Sequence, residues 1–268
     1  MPIAGEQCVV SKSGGATARL VREEGPPRHY ESKPLAVPAD EPLRPTVVIP
    51  FHNRDEMVFE CVESVLIDAP IDCEVVVVDD GSDDPTVIAR LQEAYPSIVC
   101  VRLPENKGVS VARNRGNAVA SGRIIIDLDS DDLLLDGAIQ LAIEGIEDGA
   151  DYLYGDIIRR REDGEEIVTR PEWEANLLLQ RGCFVTGLKA YRKALWQRVD
   201  GFDETIRSAV DLDFALRCEE AGAVFKRVPE PLVVYREHEG QISQKDRAGQ
   251  KENAKQVLSS ARRRRSLV

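Results

Sequence analysis

The chain has 268 residues, 43% hydrophobic and 31% charged, proportions of a folded globular protein whose length suits one large or two small domains. Its 35 basic and 47 acidic side chains give a net charge of −12, spread unevenly: residues 1–44 balance, residues 245–268 carry +6, and the stretch between carries −18. Such an acidic body excludes nucleic acid as the main partner, because phosphate backbones are bound chiefly by Lys and Arg. No apolar run approaches the ~20 residues of a membrane span.

Residues 1–44, with Gly14-Gly15, Gly25-Pro26-Pro27, Pro34, Pro38 and Pro42, show no sustained periodicity and read as an arm or linker, partly ordered against the body. They lack the charged-then-apolar layout of a secretory signal. The cysteines at 8, 61, 73, 100, 183 and 218 form no CxxC pair, which gives the expectation of a reducing, cytoplasmic compartment with free thiols and no structural zinc. From Thr46 the chain alternates: strand 46–50, helix 55–67, strand 74–78, helix 85–94, strand 98–103, helix 109–120, strand 123–128 and helix 134–146. That rhythm predicts a mostly parallel α/β sheet with helices on both faces and ligands at the carboxyl ends of its strands. Beyond residue 150 the pattern mixes. Segments 152–161 and 166–169 flank the turn signal Asp163-Gly164, and strands at 184–191, 224–228 and 232–235 surround a helix over 210–221. This half is expected to complete the sheet and cover the ligand edge. A polar helix from Asp246 ends in Arg262–Arg265. The expected organisation is an arm over 1–44, a body over 45–244 and a basic tail over 245–268.

Two acidic clusters fall where strands end. Val78-Asp79-Asp80-Gly81-Ser82 follows four valines, and Asp127-Leu128-Asp129-Ser130-Asp131-Asp132 follows three isoleucines. Carboxylates packed so closely need hydrogen bonds, a cation or raised pKa values. Each cluster alone reads equally as a solvated turn or helix cap; two at the carboxyl edge of one sheet point to a shared site. Asp129-Ser130-Asp131 suits Mg²⁺ or Mn²⁺, which takes one or two carboxylates and leaves positions for phosphate oxygens. The first cluster suits a uracil ring, whose N–H an ionised carboxylate can accept.

In chain order, Val47-Val48-Ile49-Pro50-Phe51-His52-Asn53, Val78-Asp79-Asp80-Gly81-Ser82, Asn106-Lys107-Gly108 through Arg113-Asn114-Arg115-Gly116, Asp129-Ser130-Asp131-Asp132, Gly201-Phe202-Asp203-Glu204 and Pro231 through His238 resemble the motifs of family 2 glycosyltransferases. The resemblance covers about residues 46–240. It implies a GT-A fold and an inverting transferase that uses a nucleotide-activated sugar, usually a UDP-sugar, with Mn²⁺ or Mg²⁺. By position it puts Pro50 and His52 at the nucleotide end of the first strand and Asp79 or Asp80 opposite uracil. Asp129 falls at ribose and metal, Asp131 as the main metal ligand, and Arg113 beside the donor, where an exposed helix arginine is the alternative. Family members often carry Glu-Asp at the start of a helix below the acceptor; here the pair is Val210-Asp211. Asp211 is thus the candidate general base, with a helix cap as the other reading and Asp213 as the fallback.

Ala209 to Asp213, Tyr235 to Lys245 and Gln250 to Asn253 resemble more narrowly the transferase domains of bacterial chondroitin and hyaluronan polymerases. That likeness implies hexosamine or glucuronic acid donors, a saccharide acceptor and His238 as a metal ligand. Such polymerases commonly carry two catalytic domains, whereas one is expected here. Trp173 and Trp196 read as packing residues before sugar platforms. Arg262–Arg265 reads as a solvated tail, or as a peripheral contact with the anionic inner membrane surface where a lipid-linked acceptor resides. Two rival functions stay open: a haloacid-dehalogenase-like phosphatase built on Asp127-Leu128-Asp129-Ser130, and a nucleotide-sugar-binding protein without catalysis.

Overall fold

Each apolar run after residue 45 serves two cores at once. The computed structural model describes residues 9–11, 43–241 and 247–266. Its elements are β1 (Val9–Ser11), β2 (Pro45–Phe51), α1 (Asp55–Asp68), β3 (Glu74–Asp79), α2 (Thr86–Ala94), β4 (Val99–Arg102), α3 (Val109–Val119), β5 (Ile124–Asp127), β6 (Leu133–Leu134) and α4 (Ala138–Glu147). They continue with β7 (Tyr152–Arg161), β8 (Gly164–Val168), α5 (Leu177–Arg181), β9 (Lys189–Arg192), α6 (Lys193–Arg198), α7 (Val210–Glu220), β10 (Phe225–Arg236) and α8 (Arg247–Ser266).

Along β2, Val47, Ile49 and Phe51 enter one core while Val48 enters the other; along β3, Val75 and Val77 oppose Val76 and Val78; along β5, Ile124 and Ile126 oppose Ile125. Alternation with both faces covered is why these strands read as unbroken valine and isoleucine. Each such side chain contributes roughly 1.5–3 kcal/mol on burial. Gly116 lets α3 lie close on β2, since a Cβ there would collide with Val48.

Ten strands form one mixed sheet in the order β1-β4-β3-β2-β5-β9-β7-β10-β6, with β8 hairpinned on β7. Strands β2 to β5 are mutually parallel and β9 runs antiparallel between β5 and β7. The chain steps outward from β2 to β3 and β4, then returns to β5 on the other side of β2. A topological switch point therefore opens between β2 and β5 at their carboxyl ends.

Residues 9–11, within the arm expected to be partly ordered against the body, pair antiparallel with β4. Several other expectations change. The helix expected from 134 begins at Ala138, after the short strand β6 pairs with β10. The strand expected over 184–191 shrinks to Lys189–Arg192, because the chain to Gly187, with φ +88°, curves out along a cleft. The two strands expected at 224–228 and 232–235 are one, carried past Pro229 and Pro231 by two register shifts against β7, where missing N–H groups are tolerated. The basic run is solvated only in part: Arg262 and Arg263 are exposed, on a helix that packs against the body. Val257 and Ala261 of α8 are buried, Arg264 pairs with Glu220, and Arg265 pairs with Glu219. No described helix is long and apolar enough to cross a membrane.

Candidate functional site

At the switch point lies a cleft of about 840 Å³, walled by the ends of β2, β3 and β5, the segment 182–187, the start of α7 and, on α8, Gln250, Ala254 and Leu258. Pro50, His52, Asp80, Arg113, Asp129, Asp131 and Asp211 all line it. Asp79 does not. It is fully buried, accepting the Ser82 N–H at 2.8 Å on Oδ1 and pairing with Arg102 through Oδ2. Of the two candidates for uracil, only Asp80 stays on the wall. Its oxygens accept the N–H groups of Lys107 (2.8 Å) and Gly108 (2.7 Å), and burial nonetheless raises its carboxyl above the usual range. Gly81, at φ +67°, makes this turn possible, since a Cβ would overlap the Glu105 backbone. Asn53 ties the end of β2 to this turn: its N–H donates to Ser82 Oγ and its amide exchanges hydrogen bonds with Asp83.

The second acidic turn is differently furnished. Asp131 Oδ2 lies 3.1 Å from His238 Nε2 and 3.9 Å from Arg54 Nε. Asp132 Oδ1 accepts the Arg236 N–H, while its Oδ2 is buried without a partner. Burial and the neighbouring Asp129 raise the carboxyls of both Asp131 and Asp132. The raised carboxyl of Asp131 and the unpartnered oxygen of Asp132 fit a hard divalent cation nearby, with Asp131 and Asp129 as oxygen donors. Among the described residues no three acidic, His or Cys groups already converge as a metal cluster, because Asp129 Oδ1 is turned 2.6 Å from Arg113 Nη2. His238 Nδ1 accepts the Gly240 N–H at 3.1 Å, which puts its proton on Nε2, facing Asp131. Coordination through Nε2 requires that Gly240 contact to open. Arg54 holds the same loop, donating to Gly240 O at 2.5 Å.

At the other end, Asp211 receives two cations on one oxygen: Arg113 Nη1 at 2.8 Å and Lys189 Nζ at 3.2 Å, both on Oδ1. No hydrogen bond to Oδ2 occurs among the described residues, and the side chain keeps 21% of its surface exposed. Burial alone pushes this carboxyl up; Arg113 and Lys189 overcome it and hold it at about 2. Asp211 is therefore ionised, in the lining of the cleft. Arg113, 3% exposed, joins Asp129 to Asp211 and rests over the Phe202 ring at 5.4 Å. The exposed-arginine reading of Arg113 is excluded.

Asp213 is buried and bonded to Arg217 at 2.8 Å, so the fallback base stays outside the cleft. Trp173 stacks on Phe225 at 3.8 Å and Trp196 donates to Asn114; both are packing residues. The phosphatase reading needs Asp127 as an accessible nucleophile. Instead its Oδ2 accepts the Tyr191 hydroxyl at 2.8 Å, it has no exposed surface, and burial pushes it up to about 6. Sequence reasoning missed Arg54, Lys189 and Arg207, which lines the cleft and donates to the Lys107 carbonyl. Only Lys189 left a signal, as one charge inside the apolar segment 184–191.

Comparison with known proteins gives a family and a fold. The model of glycosyl transferase family 2 matches residues 46–203. Chondroitin synthase of Escherichia coli is 31% identical over 189 residues, covering 68% of this chain and 27% of that protein. Hyaluronan synthase of Pasteurella multocida is 31% identical over 183 residues, covering 66% and 19%. The chain thus spans about a quarter or less of the length of these two relatives. Among solved structures, Staphylococcus aureus TarS 1-349 in complex with UDP-GlcNAc superposes with a TM-score of 0.67 at 22% identity, covering 81% of this chain and 66% of that one. At that identity the likeness is one of fold, and it is the GT-A architecture expected from the motifs.

Proposed function

The chain belongs to glycosyl transferase family 2, and on that premise we propose that it moves a sugar from a UDP-sugar to a hydroxyl of a saccharide or lipid-linked acceptor, with inversion and with Mn²⁺ or Mg²⁺. One observation carries the reading: a single cleft gathers Asp80, Asp129, Asp131 and the ionised Asp211 in its lining, with Arg113 spanning Asp129 and Asp211. The curated relatives are named for chondroitin and hyaluronan synthesis, and the TarS structure holds UDP-GlcNAc. These favour a hexosamine or uronic acid donor.

In this reading uracil lies against Asp80, beside Pro50 and His52, and the diphosphate lies over the Asp129–Asp131 turn. Asp131, Asp129 and, once Gly240 moves, His238 would hold the divalent ion. Bound there, it would neutralise the charge that builds on the departing diphosphate. The acceptor oxygen attacks the anomeric carbon, the bond from that carbon to the diphosphate oxygen breaks, and Asp211 Oδ2 takes the hydroxyl proton. A carboxylate held at about 2 is a weak base at rest. Arg113, drawn toward the incoming diphosphate, loosens its hold and lets Asp211 accept the proton as the oxygen becomes acidic in the transition state. The start of α7, Tyr235 and α8 close the acceptor side.

The test is UDP release from a panel of UDP-hexosamines, UDP-hexoses and UDP-glucuronic acid with Mn²⁺ or chelator, with chondroitin or hyaluronan oligosaccharides as acceptors. Asp211→Asn is expected to lose transfer by about 10²–10⁴-fold, the usual contribution of a positioned base, while UDP still binds. Full transfer by that variant rejects the base, and UDP-sugar binding without turnover by the unaltered protein supports a non-catalytic binding protein instead.

A further inference from the structure

Lys189 opens β9, in the middle of the sheet, where its register partners are Asp127 on β5 and Tyr154 on β7. A lysine with no exposed surface is costly, since a buried ion carries a penalty of several kcal/mol unless it is well paired. Its ammonium meets Asp211 Oδ1 at 3.2 Å and Gly187 O at 3.3 Å. It is absent from the lining of the cleft, so it reaches the cleft only through Asp211.

The two cations on Asp211 differ in their other attachments. Arg113 also grips Asp129, on the side where donor charge arrives. Lys189 has no such link; its other contact is the Gly187 carbonyl. A donor that draws Arg113 away therefore leaves Lys189 as the fixed grip on Oδ1. We propose that Lys189 is a positioning residue for sugar transfer: it anchors Asp211 through Oδ1 so that Oδ2 faces the acceptor hydroxyl whether or not Arg113 is engaged by the donor. This rests on the reading of Asp211 as the base. The competing role is charge balance alone, with the ammonium neutralising Asp127 and Asp211 inside the sheet.

The two roles separate in a pair of variants, assayed as the full chain with whichever UDP-sugar the unaltered protein turns over. Lys189→Met is expected to lower kcat about a hundredfold, the scale of a misplaced catalytic group, with the donor KM and the affinity for UDP within about twofold. The acidic limb of kcat/KM should move to higher pH, because a carboxylate that loses a cation is protonated more readily. The groups facing Asp211 are Arg113 on α3, Lys189 on β9, Asp127 on β5, Tyr152 on β7 and Cys183 in the segment before β9. Of these, Arg113 stays in place to set the remaining shift. Asp127→Asn combined with Lys189→Met restores the buried charge count without the anchor, and the positioning role predicts that it stays slow. Recovery of transfer in that double variant, kcat of Lys189→Met within about threefold of normal, or a double variant that does not fold, each overturns the proposal in favour of a structural lysine. Absence of turnover in the unaltered protein overturns the transferase reading itself, and this inference with it.

Discussion

The turn at Asp79-Asp80 and the turn at Asp129 to Asp132 have the same grammar: an apolar strand, then a run of acids, then a helix or short strand. Their electrostatics diverge. In the first, three N–H donors and Arg102 meet the carboxylate oxygens. In the second, one oxygen of Asp132 has no partner, Asp131 has only the neighbouring His238 and a distant Arg54, and both carboxyls are raised. Asp79 is satisfied by the chain itself; in the second turn Arg113 serves Asp129 alone and leaves Asp131 and Asp132 with raised carboxyls. Asp79 is thereby committed to the fold, whereas Asp131, like Asp80 on the first turn, keeps its place on the cleft wall.

Three substitutions press on this contrast. Asp131→Asn should act on the ligand: transfer is expected to fall by on the order of 10²–10³, matching the several kcal/mol a divalent ion supplies. UDP binding in Mn²⁺, measured calorimetrically, should drop to the level seen with chelator. Asp79→Asn should act on the fold, costing about 2 kcal/mol. That is less than the 3–5 of a fully buried broken pair, because Arg102 keeps 25% of its side chain exposed; denaturant titration measures the loss, and UDP affinity should hold. The reverse result, with Asp79→Asn abolishing UDP binding at unchanged stability, dissolves the distinction between the turns. Smallest is Asp132→Asn, expected to raise stability by about 1 kcal/mol without metal. It removes a buried charge that costs several kcal/mol and leaves an amide whose unpaired N–H costs 1–3. A lower melting temperature for that variant would show that the second turn is as well neutralised as the first.

The parallel half of the sheet was legible in the sequence because Val47, Ile49, Val76 and Ile125 face two cores and leave no polar residue to blur the run. So were the acids at its edge, since strand ends fix where loops gather. The far wall was harder. Pro229 and Pro231 look like breaks, yet a parallel neighbour absorbs them as register shifts. The arginine run looks solvated until Glu219 and Glu220, some 45 residues away, are placed beside it. Asp79 and Asp80 were indistinguishable by position, and only the location of Arg102 on the adjoining strand tells which one is committed to the fold. Lys189 needed both its strand and α7 in place before its charge acquired a partner.

The strand Val9–Ser11 has a consequence for the behaviour of this sheet in solution. At one margin lies this three-residue strand over β4, and at the other the two-residue β6. A long apolar strand left open at a margin is a template on which another chain can add itself. Here Cys100, Val101 and Arg102 of β4 are covered by the register Val9 to Arg102 through Ser11 to Cys100. Residues 9–11 thus occupy hydrogen-bonding groups of β4 that would otherwise lie open to another chain.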